Sequence, residues 1–227
     1  GTCFAMGYVI WAAHLGVRAP QVSFESTDYY IVAGNPDDSG ARDYSATTPV
    51  AGLLYRLDPT TSLYANFGRG FETPTFAELA YQNAPATGLN LGLEAAESRH
   101  FEIGAKRVRA GAYRASVALF DIETENEIVT DQSSGGRTTF RNAGRPQRRG
   151  IEIGAESLRA GPLEARAAYT YLDAAFEDGF GTIAAGNMLP GVPKHQFYAE
   201  GAWRYAPAGL RVAAEFLYRS EVAVNDI

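Results

Sequence analysis

The chain has 227 residues, a formal net charge of −6, 24 glycines and an aromatic content of 12%. The mildly negative charge disfavours nucleic-acid binding, since the arginines at 145, 148 and 149 are the one basic cluster. The lone cysteine, Cys3, excludes a disulfide framework and a cysteine-based zinc site. Abundant aromatic residues and glycines, with charges spread evenly, indicate an all-β protein.

The first stretch, 1–15, contains an apolar block at 4–13 and is left unassigned as a domain. It lacks the starting methionine and the basic n-region of a signal peptide. The sequence contains no apolar run of the ~20 residues that a membrane-spanning helix needs. Strands of a membrane barrel need only ~9–11 residues each and alternate in polarity, so the membrane class remains open.

From residue 16 onward the sequence predicts strands separated by turns. The predicted strands are 16–26, 44–57, 61–71, 97–108, 112–129, 138–158, 163–176, 194–206 and 209–222. Short connections rich in Pro or Gly are predicted at 58–60, 109–111, 160–162 and 206–209, and long ones at 27–43, 72–96, 130–137 and 177–193. Short turns on one rim and long loops on the other are typical of an outer-membrane barrel.

The strands alternate between apolar and polar residues. Around 210–219, Leu210, Val212 and Phe216 share one side, whereas Arg211 and Glu215 share the other. A half-buried sheet in a soluble protein gives the same alternation, and the turn lengths favour the barrel over it. The aromatic residues near strand ends fit an interfacial girdle: Trp203, Tyr205 and Tyr218.

One helix is predicted at 75–81, inside the long connection after residue 71, with Thr73 as its cap and Pro74 in its first turn. Loops on this rim are where ligand contacts are expected. From loop position alone, the candidate ligand-binding residues are Phe71, Thr73, Tyr81, Gln82 and Arg141.

Charged residues near the same rim allow two interpretations each. Glu123, Glu125 and Glu127 are predicted on one side of a strand with Asp131 beyond; a solvated rim is favoured over a cation site. The arginines could attract an anionic ferric chelate or a lipopolysaccharide phosphate, but a charge set balanced by glutamates is favoured. That set comprises Arg137, Arg141, Arg145, Arg148 and Arg149, with Glu152 and Glu156 as the predicted counterions.

No catalytic site is predicted. The histidines at 14, 100 and 195 share no metal-ligand spacing, and no Ser/His/Asp arrangement has a supporting context. The Gly-Arg-Gly at 68–70 lacks the lysine and following helix of a phosphate-binding loop. The sequence therefore predicts a protein that is not an enzyme and that has no metal and no cofactor.

Four blocks carry a resemblance to a known family. The longest is Tyr-Ala-Asn-Phe-Gly-Arg-Gly-Phe-Glu-Thr-Pro-Thr-Phe-Ala-Glu-Leu at 64–79, and the others lie at 89–106, 140–153 and 187–198. They resemble, in family order, conserved segments of TonB-dependent outer-membrane receptors of the siderophore type. At 96 the usual proline of the second block is alanine.

The resemblance implies an antiparallel up-and-down transmembrane β-barrel in the cell outer membrane, with 16–227 as a partial barrel of about nine strands out of ~22. It implies uptake of a ferric siderophore or similar scarce ligand, in contact with outer-membrane lipid and driven by the TonB complex through an N-terminal plug. The plug and the final strands are expected to lie outside this chain, which is then a fragment of a receptor. A non-functional receptor remnant, a passive porin-like barrel, an outer-membrane lipase and a soluble β binding protein are the alternatives.

Overall fold

The computed structural model describes residues 10–33, 37–83, 88–158 and 161–224. Almost every regular element is a strand: β1 (Trp11–Arg18), β2 (Gln21–Ser26), β3 (Gly40–Ser45), β4 (Thr48–Arg56), β5 (Thr61–Glu72), β6 (Ala96–Arg109), β7 (Tyr113–Glu125), β8 (Ile128–Ser134), β9 (Arg137–Asn142), β10 (Pro146–Ser157), β11 (Leu163–Phe176), β12 (His195–Tyr205) and β13 (Leu210–Arg219). One short helix, α1 (Phe76–Leu79), follows β5, and a 3-10 turn, Ala206–Ala208, precedes β13.

One antiparallel sheet organises the described residues. Its nine strands run in the order β1-β4-β5-β6-β7-β10-β11-β12-β13, with β1 and β13 at the edges, so it does not close into a barrel. The predicted all-β antiparallel fold is confirmed. In the described part of the chain, no helix is long and apolar enough to cross a membrane.

The structure divides three of the predicted strands, 16–26, 112–129 and 138–158, and changes one predicted loop. The first predicted strand, 16–26, is two strands, β1 and β2, and β1 begins at Trp11, so it includes part of the stretch left unassigned; residues 1–9 lie outside the described residues. The predicted loop 130–137 is instead the tip of a hairpin formed by β8 and β9. Its turn holds Gly135 and Gly136, both with positive φ, so no long loop is needed there.

The strand register separates two faces. One row across the sheet reads Leu53, Ala65, Ile103, Leu119 and Ile151, and the next reads Gly52, Asn66, Glu102, Phe120 and Gly150. We call the apolar side the outer face and the polar side the inner face. Large exposed apolar surface is unfavourable in water, and an apolar band is the surface that a transmembrane barrel presents to lipid.

Aromatic pairs mark the outer face near the rim with short turns. The rings of Trp11 and Tyr55 lie 4.4 Å apart, and those of Trp203 and Tyr205 stack at 5.6 Å. Each pair lies beside the connection that follows β4 or β12. This is the depth at which indole and phenol groups are stable, with the ring in hydrocarbon and the polar atom in the headgroup layer.

The short turn between β4 and β5 is held by one carboxylate. Asp58 accepts hydrogen bonds from the backbone N–H groups of Thr60 (2.7 Å) and Thr61 (2.9 Å) and from the Thr60 hydroxyl (2.7 Å). These bonds favour the charged form, and the Thr60 hydroxyl bond first of all lowers the pKa of Asp58 to about 2.

We expect this turn to loosen in acid. Because the folded-state pKa lies below the ordinary 3.8, the stabilisation is complete above pH 4 and is lost as the pH falls through about 2. Hydrogen-exchange protection of the Thr60 and Thr61 amides, measured relative to the intrinsic exchange rate at each pH, should fall over that range, and Asp58→Ala should lack this protection already at neutral pH. Equal protection in Asp58→Ala and the parent protein would contradict the expectation.

Candidate functional site

The connection between β5 and β6 begins with a well-capped helical turn. Glu78 N–H donates to the Thr75 hydroxyl, and the Glu78 carboxylate accepts from Thr75 N–H at 2.7 Å, which completes a capping box. Thr75 and not the predicted Thr73 is therefore the cap, because the helix begins at Phe76. Leu79, 1% exposed, anchors the turn in the loop core.

Paired amide side chains join this connection to the β8–β9 hairpin. Asn142 Nδ2 donates to the Glu94 carbonyl at 2.9 Å, while Asn142 Oδ1 accepts from Glu94 N–H at 2.9 Å. Asn90 Nδ2 donates to the Phe140 carbonyl at 2.9 Å. These contacts bridge segments about 50 residues apart and hold the two loops as one body.

The β2–β3 hairpin closes on the same connection from the other side. The Tyr44 hydroxyl donates to the Leu93 carbonyl at 2.9 Å, and Arg42 pairs with Glu94 at 2.8 Å. Burial raises the pKa of Tyr44, since the phenolate would lose its hydration there. The rings of Phe24 and Phe76 meet edge to face at 4.9 Å.

A small apolar core seats the connection between β11 and β12. Its buried members are Ala143, Ala174, Phe176, Ile183 and Leu189. At its margin Arg145 Nε donates to Asp178 at 2.7 Å, and this bond lowers the pKa of Asp178. The long connections of the described residues therefore form packed structure around the mouth of the sheet, and we call this surface the vestibule.

Three of the predicted ligand-binding residues make contacts within the vestibule. The Arg137 guanidinium lies 4.9 Å from the ring centre of Tyr81, and Gln82 Nε2 donates to the Leu89 carbonyl at 2.6 Å. Arg141 contributes to the same loop body in two ways. Its Nε lies 3.0 Å from Asp131 Oδ1, and its guanidinium lies 4.9 Å from the ring centre of Phe180.

The other two predicted residues lie at the end of β5. Phe71 pairs with Glu97 of β6, and Thr73 is half-buried between β5 and α1. Of the five, Phe71 borders the cavity described next, and the other four are not among its lining residues.

That cavity lies on the inner face, where β5, β6, β7 and β10 meet the start of the vestibule. Its volume is about 600 Å³. Its lining residues are Gly70, Phe71, Glu72, Glu78, Ala96, Ser98, His100, Ile122, Thr124, Glu127, Ile128 and Arg148. We call it the upper cavity. Sequence reasoning from loop position missed most of these residues, although the alternation of β6 and β7 already places Ser98, His100 and Thr124 on the polar side.

Polar groups of the upper cavity are arranged in pairs. Arg148 Nη2 donates to Glu127 at 2.7 Å, and both side chains are 26% exposed. Ser98 Oγ lies 2.7 Å from His100 Nε2. Thr124 is 8% exposed. Glu72 is the last residue of β5 and pairs with Ala96 of β6.

The position of Glu127 corrects the predicted row of carboxylates. Asn126 has a φ of 57°, which breaks the alternation at the end of β7 and turns Glu127 to the inner face. Glu123 and Glu125 remain on the outer face, where both pair with Arg99, at 2.9 and 3.3 Å. The three glutamates are therefore not on one side.

The counterions of the arginines also differ from those predicted. Arg145 pairs with Asp178, Arg148 with Glu127, and Arg149 with Asp121 at 2.8 Å. The predicted partner Glu156 instead pairs with Arg114 at 2.7 Å. The favoured interpretation, a balanced charge set, is right in kind, but its carboxylates come from other strands and loops. Partner identity depends on register, which no short sequence window contains.

A second cavity continues the inner face below the first and shares His100 with it. Its volume is about 590 Å³, and its polar lining includes His14, Asn66, Glu102 and Lys106. Within the described residues, no group of three or more His, Cys, Asp or Glu side chains is arranged to hold a metal ion. The two cavities lie beneath the vestibule on the inner face, and both have linings of mixed polar and apolar side chains.

Residues 9–227 match the family described as TonB dependent receptor-like, beta-barrel. The chain belongs to the TonB-dependent receptor family. It is therefore an outer-membrane protein, and the predictions of family, fold and location are confirmed. Members of this family are transport receptors and not enzymes, which also confirms the prediction of no enzymatic activity.

Relatives of this family member include receptors for metal complexes. The chain is 25% identical over 205 residues to the metal-pseudopaline receptor CntO of Pseudomonas aeruginosa, covering 89% of this chain and 27% of that protein. The siderophore receptor PiuA of Acinetobacter baumannii superposes with a TM-score of 0.73 and 22% identity, covering 93% of this chain and 31% of PiuA. The copper transporter OprC gives a TM-score of 0.76 at 14% identity, with 97% and 34% covered.

The chain covers only part of the length of each of these proteins. It spans about a quarter of the curated relative and about a third of the solved structures. At such identities the solved structures show the fold, and the nine-stranded sheet corresponds to part of a larger barrel.

Proposed function

We propose that this chain is part of an outer-membrane receptor that takes up an iron–siderophore complex. The observation that carries the proposal is the upper cavity, which opens on the polar inner face directly beneath interlocked outer loops. A passive pore needs a hydrated lumen but no fixed pocket at its mouth. A scarce ligand needs one, because it must be held before it is moved.

In this proposal the segments have separate roles. The vestibule and the upper cavity hold the ligand at the outer rim, and the inner face lines the route below it. The outer face keeps the segment in the lipid bilayer. A plug elsewhere in the receptor closes the lumen, and the TonB complex supplies the energy for its movement. The likeness to the siderophore receptor PiuA supports the choice of ligand.

Uptake of radioactive iron tests the proposal. Cells that express a full-length receptor whose barrel carries residues 9–227 should accumulate iron from a ferric siderophore, and deletion of TonB should abolish the accumulation. Entry of small solutes that persists without TonB would favour a porin-like barrel. No uptake with any of a panel of chelates, from a correctly inserted protein, would favour a receptor remnant.

The five residues predicted from loop position give a second test. Replacing Phe71, Thr73, Tyr81, Gln82 and Arg141 together with alanine should weaken ligand capture about tenfold or more, because the vestibule loses a cation–π pair, an ion pair and a loop hydrogen bond. Affinity can be measured by the quenching of intrinsic fluorescence in the purified receptor. Leu163→Ala, at the rim with short turns, where Leu163 is 66% exposed, is the control, and unchanged affinity in the fivefold variant would refute this assignment.

A further inference from the structure

The charge of the upper cavity is not balanced. The carboxylates of Glu72, Glu78 and Glu127 line it, whereas its one arginine is Arg148. Arg148 is already neutralised by Glu127 at 2.7 Å. Glu78 directs one oxygen to the capping box. Glu72 lines the cavity at its exposed margin and has no ion pair with any described residue. Within the part of the chain that the structure describes, the cavity therefore has more carboxylates than cations among its lining residues.

A threonine that is mostly buried lines the same space. Thr124 is 8% exposed and lies on the inner face of β7 among the lining residues. Its side chain makes no hydrogen bond to another described residue. The Thr124 Oγ1 atom itself is accessible from the cavity, so it can bond to water or to a ligand there. Thr124 offers one donor and two acceptor positions to whatever occupies the cavity.

The surroundings leave few sources of positive charge. Arg137 and Arg141 of the vestibule are held by a tyrosine ring and by Asp131, respectively. Arg149 lies on the outer face and pairs with Asp121. Among the described residues, Arg148 is the one arginine that lines the cavity. Arg137 keeps its charge beside the tyrosine ring but lies outside the lining, and Arg69 lies on the outer face, where it pairs with Arg99 of β6.

We propose that the upper cavity selects a neutral or cationic metal chelate and rejects strongly anionic ones. The inference rests on the proposed function and defines its ligand class. A chelate with amide, hydroxyl or ammonium groups can donate hydrogen bonds to Glu72 and accept one from Thr124 without leaving a charge unpaired. An anionic chelate meets uncompensated carboxylates in a partly enclosed site, where screening by salt is weaker than in bulk water.

Two ferric probes test this selection in the purified full-length receptor. A ferric trihydroxamate is neutral because three hydroxamate anions cancel the charge of the ferric ion, whereas a ferric tris-catecholate is strongly anionic. The neutral probe should bind at least about a hundredfold more tightly than the anionic one at low ionic strength. Added salt should narrow the ratio, because it screens the repulsion.

Single substitutions identify the groups responsible. Glu127→Gln leaves the charge of Arg148 uncancelled, so the anionic probe should bind about tenfold more tightly and the neutral probe should change little. Glu72→Gln should give a smaller gain of the same sign, about threefold. Thr124→Val keeps the shape and removes the hydroxyl, so the neutral probe should lose about fivefold.

Asp173→Asn is the matched control. It removes one carboxylate charge on the outer face, where Asp173 pairs with Lys194 at 3.4 Å, and it should leave the binding of both probes unchanged. A shift as large as that of Glu127→Gln would show that only net charge matters and would overturn the assignment to the cavity.

The remaining outcomes separate this inference from the function on which it rests. Tighter binding of the anionic probe, with TonB-dependent uptake intact, would refute the selection and leave the receptor function standing. Binding of neither probe, together with no TonB-dependent uptake of iron, would overturn both.

Discussion

Replacing Gly150 with valine is expected to prevent stable assembly of the sheet around β10. A Cβ atom at this position would overlap the Tyr171 carbonyl oxygen and would lie 2.5 Å from the ring of Phe120. The Phe120 ring lies across the glycine on the inner face, and the carbonyl belongs to the neighbouring strand. The carbonyl cannot move without disturbing the pairing of β10 with β11, and the ring would have to swing aside. Alanine alone should cost about 1–3 kcal/mol of folding free energy, and valine more.

The stability of each variant can be measured on the purified full-length receptor, from the midpoint of urea unfolding and from the mobility of the folded protein in unheated detergent gels. Gly201→Ala is the control, because a Cβ atom there meets nothing within 4 Å. Both positions lie in strands of the same sheet, so a difference between them reports the local contact. Equal stability of the Gly150→Ala and Gly201→Ala variants would show that the ring and strand shift freely.

Replacing Phe176 with alanine is expected to unfold the connection between β11 and β12 and to leave the sheet in place. Phe176 is 2% exposed, packs with Ile183 and Leu189, and meets the Phe180 ring at 4.9 Å. Removal of a buried phenylalanine side chain costs about 3–5 kcal/mol. That loss exceeds what a surface connection can absorb, so 177–193 should become accessible to proteases.

Met188→Ala is the matched control for this prediction. Met188 is 36% exposed and precedes Leu189, and its contact with β11 is a backbone bridge to Ala175 that alanine retains. Proteolysis of intact cells should therefore cut the Phe176→Ala receptor in this segment and spare the Met188→Ala receptor. Global loss of the folded barrel in Phe176→Ala would instead mean that the small core supports the whole sheet.

The sheet and the loops above it are stabilised by different interactions. The strands pair through backbone hydrogen bonds and need close approach on the inner face, which explains the cost of a side chain at Gly150. The loops above them depend on a small apolar core and on paired amides, such as Asn142 with Glu94. Loop substitutions should therefore change ligand capture while the barrel segment stays folded.

Much of the fold was readable from the sequence because it depends on local periodicity. The period-two alternation from Leu210 to Tyr218 and the turn residues at 58–60 identify strands and hairpins without any tertiary information. Short and long connections between neighbouring strands of the nine-stranded sheet alternate as predicted, although the connection between β7 and β10 contains the β8–β9 hairpin. The predicted helix was also found, although it is shorter and is capped by Thr75.

Residue pairs between distant segments were beyond the sequence. The alternation rule placed Glu127 beside Glu125, but one positive φ at Asn126 turned it inward to Arg148. Such a conformation costs little for asparagine, so nothing in the composition forces it or forbids it. The same holds for the partners of the arginines, which are selected by strand register.

The sequence by itself determined that this chain forms antiparallel strands with one apolar and one polar face, because side-chain periodicity and turn chemistry are local properties. The tertiary structure alone decided which polar residues meet. The upper cavity collects Glu72, Thr124 and Arg148 from three strands, and Glu127 joins them through a single backbone kink. A binding site of this kind is created when strands pair in register, since only pairing brings residues from separate hairpins within contact distance.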